Sequence, residues 1–263
     1  MALGGAPDLV QLALLAMATM AGAAVQAATG FGFAIFAAPV FLAVLDTTAA
    51  MPILVALHVM QSAMLVPGVW RRVPWRLFSG LALGAVIGAP LGLVLFHALE
   101  VRQLKLAVGL TILLVAGFMA LRRLMPAAPP TDPGVAADGG SPATGVLVTG
   151  ALSGLLTAVL VMPGPPLMVH LLRRPLAADV ARALSLTLFA ACYVAVLAAH
   201  AANGGLDRAA WLTVGWLIGP VVVGTLTGLG LMRWLADKHF ALVLMGLLVL
   251  AGFGAIASAV WGA

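Results

Sequence analysis

Two short stretches put unusual chemistry into an apolar chain: Ala28-Thr29-Gly30-Phe31-Gly32-Phe33 and Met162-Pro163-Gly164-Pro165-Pro166. Each interrupts a hydrophobic run, and a Gly or Pro cluster there breaks a helix and frees backbone amides and carbonyls. Where a half-helix restarts, near Gly32-Phe33 and again near Gly164-Pro165, its first amides lack intrahelical partners and the dipole leaves partial positive charge. Glycine lets a ligand approach the main chain, and proline at a first helical position gives up only an amide that was already unpaired. Two such ends aimed at one centre can hold a small anion on neutral donors. Gln26 and Thr29 immediately precede the first break, and Ser153 and Thr157 precede the second. All four could donate to an anion, although Ser and Thr also bond their own helix carbonyls.

Further polar groups lie on the apolar segments. Gln61 and Ser62 sit one turn from His58, whose imidazole is suited either to carrying a coupled proton or to a hydrogen bond between helices. Tyr193, the one tyrosine, falls mid-segment in the second half and is a further ligand donor. Phe31 and Phe33 either line or gate a cavity or simply pack. The five histidines show no metal-ligand spacing, so neither a metal nor any other cofactor is expected. The chain has no H-E-x-x-H, no G-x-S-x-G elbow and no carboxylate pair within an apolar run, so catalytic residues are not expected. Cys192, alone, cannot form an internal disulfide.

The elements that must position these groups follow from composition. The chain is 63% hydrophobic and 8% charged, with 13 basic and 8 acidic residues among 263, against roughly 25% charged in a soluble domain. This is the composition of an all-α polytopic membrane protein. A net charge of +5 scattered in ones and twos anchors helices and does not suggest nucleic acid. Spanning helices need about 20 apolar residues, and six runs qualify: 50–69, 77–98, 104–121, 183–203, 211–234 and 240–261. Every acid falls at a break between runs. The stretch MPAAPPTDPGVAADGGSPAT is a linker that divides the chain into halves, 1–123 and 144–263, with 124–143 between them. The N-terminus has no basic region before its apolar run and does not read as a cleaved signal peptide.

Segments 9–45 and 145–172, which carry the two breaks, are either kinked crossings or re-entrant hairpins. As crossings they divide the basic residues six to seven between the two sides. As hairpins they gather Arg71, Arg72, Arg76, Arg122, Arg123, Arg173, Arg174, Arg182, Arg233 and Lys238 on one side, leaving Arg102, Lys105 and Arg208 on the other. Ten against three satisfies the positive-inside rule. It places both termini in the periplasm and the linker in the cytoplasm.

A shift of 136 residues superposes Trp75 on Trp211, Gly88 on Gly224, Gly92 on Gly228 and Arg102 on Lys238. Each half reads as a broken hairpin followed by three transmembrane helices. Three crossings per half insert the second half upside down. Inverted repeats with a discontinuous helix in each half are the sequence pointer to a transporter whose site lies at the repeat interface.

The runs ATGFGFAIFAAPV and GLLTAVLVMPGPPLMVHLL resemble the TauE/SafE family of anion permeases over nearly the whole length of the chain. The resemblance carries over Gly30, Phe31, Gly32, Phe33 and Pro39, then Gly164, Pro165 and Pro166. It departs where the family often has adjacent glycines and this chain has Pro163 before a single glycine. It implies transport of sulfite, sulfoacetate or another organosulfonate across the bacterial inner membrane by alternating access. H⁺ or Na⁺ would be the coupling ion, the lipid bilayer the surroundings and a homodimer the assembly. The competing readings are a transporter of another small carboxylate or anion, an intramembrane enzyme, and a non-transporting scaffold.

Overall fold

The computed structural model describes residues 7–124, 143–173, 176–202, 206–231 and 238–261. Apart from its two end residues, the expected linker lies outside them. The described residues form α1 (Leu9–Thr29), α2 (Phe33–Leu45), α3 (Ala50–Leu65), α4 (Trp75–Ala98), α5 (Val101–Leu124), α6 (Ala143–Leu160), α7 (Gly164–Arg173), α8 (Ala178–Ala202), α9 (Arg208–Leu231) and α10 (Lys238–Trp261). Two 3-10 turns, Val66–Gly68 and Trp70–Arg72, join α3 to α4. Seven of these helices are long and apolar enough to cross a membrane. Large apolar side chains such as Val94 and Trp216 are 73% and 70% exposed, as suits a surface solvated by lipid.

A capping box starts α1: Asp8 accepts from the Gln11 amide while the Gln11 side chain accepts from the Asp8 amide. The helix then folds back on α2. Gln11 Nε2 donates to the Val44 carbonyl at 3.5 Å, and the Phe33 amide donates to Gln26 Oε1 at 3.3 Å, so the two helices run antiparallel. In the second broken segment Thr149 of α6 meets His170 of α7 at 3.2 Å, again an antiparallel return. The hairpin arms differ from the expectation of six spans in one respect. The first arms, α1 and α6, are themselves of spanning length. At the end of α1, Gly30 packs against Arg182, one turn into α8.

Two helix pairs make the tightest crossings. On α4, a Cβ at Gly88 would stand 1.8 Å from the Ala151 carbonyl oxygen of α6, and one at Gly92 2.4 Å from that of Leu155. On α9, a Cβ at Gly224 would stand 2.3 Å from the Met20 carbonyl of α1, and one at Gly228 2.2 Å from that of Ala24. The glycines superposed in the sequence therefore do the same job, letting a backbone touch the first arm of the other half's broken segment. Both pairs run parallel.

The ends are pinned by polar contacts. At one end Lys105 Nζ donates to Asp46 at 2.6 Å, Arg102 reaches the Ala259 carbonyl at 3.2 Å, and Phe96 meets His200 edge-on. At the other, Arg72 and Asp179 form an exposed pair at 3.9 Å. Arg102 and Lys105 are thus gathered away from Arg72 and Arg182, as the hairpin division of charge requires.

Candidate functional site

The two breaks share one backbone solution. Gly30 ends α1 at φ 92 and its amide donates to the Gln26 carbonyl at 2.8 Å. Val161 follows α6 at φ 60 and its amide donates to the Thr157 carbonyl at 2.9 Å. Each is a left-handed cap closed by a bond to the residue four back. A β-branched residue in this region is strained, and Val161 is fully buried. Gly32, at φ 114, makes a second left-handed step before α2 begins.

The breaks meet at a small chamber of about 20 Å³. Gln26, Phe31, Gly32, Ala34 and Ile35 line it from the first hairpin. Val161, Met162, Pro163, Gly164, Pro165 and Met168 line it from the second, and Val115, Phe189 and Tyr193 close it. That volume holds about one water, so the chamber is closed around its own polar groups. Gln26 is 1% exposed, its Oε1 is taken by the Phe33 amide, and its Nε2 has no partner. The amides of Ala34 and Ile35 belong to the first turn of α2, which the helix itself cannot satisfy. The first turn of α7 is poorer, because Pro165 and Pro166 have no amide to give. No charged side chain lines the chamber.

A larger groove of about 820 Å³ runs between α5, α6 and α7. Its walls include Thr111, Phe118, Thr149, Pro166 and His170, and it shares Val115, Pro165 and Met168 with the chamber. Those three side chains are the partition between the two spaces.

Of the residues singled out in the sequence, Gln26, Phe31, Gly32, Pro163, Gly164, Pro165 and Tyr193 come together in the chamber wall, and Pro166 lies in the groove. The others stand apart. Thr29 braces the first turn, donating to the Val25 carbonyl at 2.8 Å and accepting from the Phe31 amide at 3.3 Å. Gly30 packs on Arg182. Thr157 donates to the Ser153 carbonyl at 2.6 Å, and Gln61 Nε2 donates to the Ala23 carbonyl at 2.7 Å. Phe33 turns its ring away from the chamber and stacks on His58, with ring centroids 4.2 Å apart. His58 also meets Tyr193, with ring centroids 4.4 Å apart. Its Nδ1 lies 2.7 Å from the Leu54 carbonyl, which fixes the proton on that nitrogen, and its Nε2 has no partner.

Arg182 was hidden among the anchoring charges. Its guanidinium donates to the Ala27 carbonyl, supplying a partner where the break removes the helical one. The signal available was an arginine immediately before the apolar run 183–203. Met168, Phe189 and Val115 gave no signal, since an apolar cavity wall reads as core.

The family model for "Sulfite exporter TauE/SafE" matches residues 14–255. The chain belongs to this family. A curated relative named "Probable sulfite/organosulfonate exporter TauE", from Cupriavidus necator, is 27% identical over 226 residues, covering 82% of this chain and 83% of the relative. No solved structure matches. TauE/SafE membership and the seven apolar helices identify a multi-pass membrane protein of a transporter family.

Proposed function

We propose that the protein is a secondary transporter of a small sulfur-containing anion, sulfite or an organosulfonate, bound in the chamber between the two breaks. The observation that carries this reading is the convergence of both breaks on one chamber that holds an unpartnered buried donor and no charge. An anion there replaces lost water with Gln26 Nε2, the amides of Ala34 and Ile35, and the dipole of α2. Gly32 and Gly164 keep the backbone approachable. Neutral donors bind an oxyanion without the deep trap that a buried lysine would make, so release remains fast.

The chamber is too small for sulfite in this conformation, so the protein stands closed. Opening separates Val115, Pro165 and Met168 and joins the chamber to the groove, which reaches toward the ends of α6 and α7. The halves 1–123 and 144–263 act as inverted repeats. Support comes from the parallel pairs α4 with α6 and α1 with α9, and from two identical caps borne on helices that start from opposite ends of the bundle. Rocking one hairpin against the other exposes the chamber to each side in turn. We place the protein in the bacterial inner membrane with the Arg72 end in the cytoplasm.

Purified protein in proteoliposomes, loaded with unlabelled anion, is expected to exchange it for labelled sulfite or sulfoacetate. Gly32→Leu is expected to stop exchange, because its Cβ already stands 3.0 Å from Val25 and its φ of 114 suits only glycine. Absence of exchange with either anion, or full exchange by Gly32→Leu, overturns the reading.

A further inference from the structure

Among the described residues His58 is the one fully buried base beside the chamber, and its Nε2 has no partner. It is 0% exposed, with Nδ1 committed to the Leu54 carbonyl, so Nε2 is the position open to protonation. The ring stacks on Phe33 at an interplanar angle of 23° and meets Tyr193 tilted at 46°. The stacked Phe33 face favours an imidazolium over a neutral ring. Each neighbour is also tied to the chamber. Tyr193 lines it, and Phe33 opens α2 with its amide on Gln26, which lines it too.

We propose that His58 carries the proton that travels with the anion, making the transporter an H⁺-coupled one. The proposal rests on the transport reading above. An anion desolvated in an uncharged chamber is costly, and so is a buried imidazolium. One ring apart, each offsets the other, and by linkage the anion tightens the proton as much as the proton tightens the anion. Nε2 takes its proton from water on the side where the anion enters. It returns the proton to water on the side where the anion leaves, and no bond to the anion forms. The groups facing His58 leave it unrivalled. Helices α1, α2 and α9 carry no ionisable side chain within their lengths apart from Arg208, the first residue of α9. Helix α8 brings Tyr193 and, next to it, the buried Cys192; its buried His200 lies two turns away against Phe96, its Arg182 about three turns away is turned to Ala27, and its Asp179 pairs with Arg72. Among the described residues no acid lies beside His58 to hold an imidazolium in the empty state.

The test uses sulfoacetate, whose carboxylate and sulfonate both stay ionised near neutral pH, so that the substrate itself contributes no proton. With the membrane potential clamped at zero, one proton per anion lets each unit of pH difference drive about a tenfold accumulation. Wild-type vesicles are expected to accumulate label toward the alkaline side, and a pH dye in the lumen is expected to report protons entering with it. His58→Gln, which keeps a donor for the Leu54 carbonyl, is expected to exchange anion more weakly at equal pH, with thermal unfolding like wild type, and to lose the pH-driven accumulation. Accumulation by His58→Gln equal to wild type overturns the proposal. So does wild-type flux without a dye response, a result that needs no variant and leaves the transport reading standing. Failure of wild type to exchange sulfoacetate or sulfite at all removes both readings.

Discussion

Two buried glutamines separate binding from architecture. Gln26 and Gln61 are 1% and 0% exposed, and each makes one hydrogen bond to the main chain, Gln26 to the Phe33 amide and Gln61 to the Ala23 carbonyl. Only Gln26 lines the chamber. Replacing either by leucine removes one hydrogen bond and costs about 1 to 3 kcal/mol of stability where a buried group is left unpaired. Gln26→Leu also removes the Nε2 donor, and a hydrogen bond to a charged group is worth about 1.5 to 3 kcal/mol. The expected loss of affinity is therefore about 10- to 150-fold for Gln26→Leu, against less than about twofold for Gln61→Leu. Isothermal titration of sulfite into the detergent-solubilised proteins measures both affinities, and thermal unfolding measures both stabilities. Unchanged affinity in Gln26→Leu refutes the assignment. Equal losses in the two variants also refute it, because both would then act through the fold.

The remaining expectations concern the scaffold. Gly88→Ala and Gly224→Ala force backbones apart by about 1.6 and 1.1 Å to reach ordinary contact. Overpacking of this kind costs about 1 to 3 kcal/mol, so both are expected to unfold at lower temperature, Gly88→Ala more so. Gly230→Ala, with nothing within 4 Å, serves as the silent control. Val161→Gly loses a buried side chain but relieves left-handed strain of about 1 to 2 kcal/mol. It is therefore expected to destabilise less than Val159→Gly in the helix just before it, by thermal unfolding of the pair. Lys105 has a side chain 7% exposed and its partner Asp46 one 66% exposed. Asp46→Asn strands a buried ammonium and is expected to cost more stability than Lys105→Met, which leaves only a solvated carboxylate. Denaturation midpoints of the two variants give the order directly.

The sequence made the helices, the two breaks and the pairing glycines legible because each rests on a local rule: apolar length, Gly and Pro punctuation, small residues four apart. Charge division pointed to segments that fold back, and both do run antiparallel, although the first arm of each is of spanning length. What stayed hidden depended on distance in the chain. Val161 repeats the role of Gly30, yet a valine offers no sign of a left-handed backbone, and the second break reads as beginning at Met162. Thr29 and Gln61 looked like ligands because they are polar and near the breaks, but each spends its hydrogen bond on the main chain. Arg182 read as an anchor, and only the fold brings it to the Ala27 carbonyl. The second helix end is also a weaker donor set than two matching breaks suggested, since two of its first amides are prolines.

The central claim is that a sulfur oxyanion sits between the two breaks. Selenite, the heavier congener of sulfite, makes that claim directly visible by anomalous scattering from crystals of the protein grown with it. The account predicts one strong peak within hydrogen-bonding distance of Gln26 Nε2 and the amides of Ala34 and Ile35, competed away by sulfite and missing from Gln26→Leu. A sulfite-competed peak elsewhere, or an empty chamber in a preparation that transports sulfite, would contradict it.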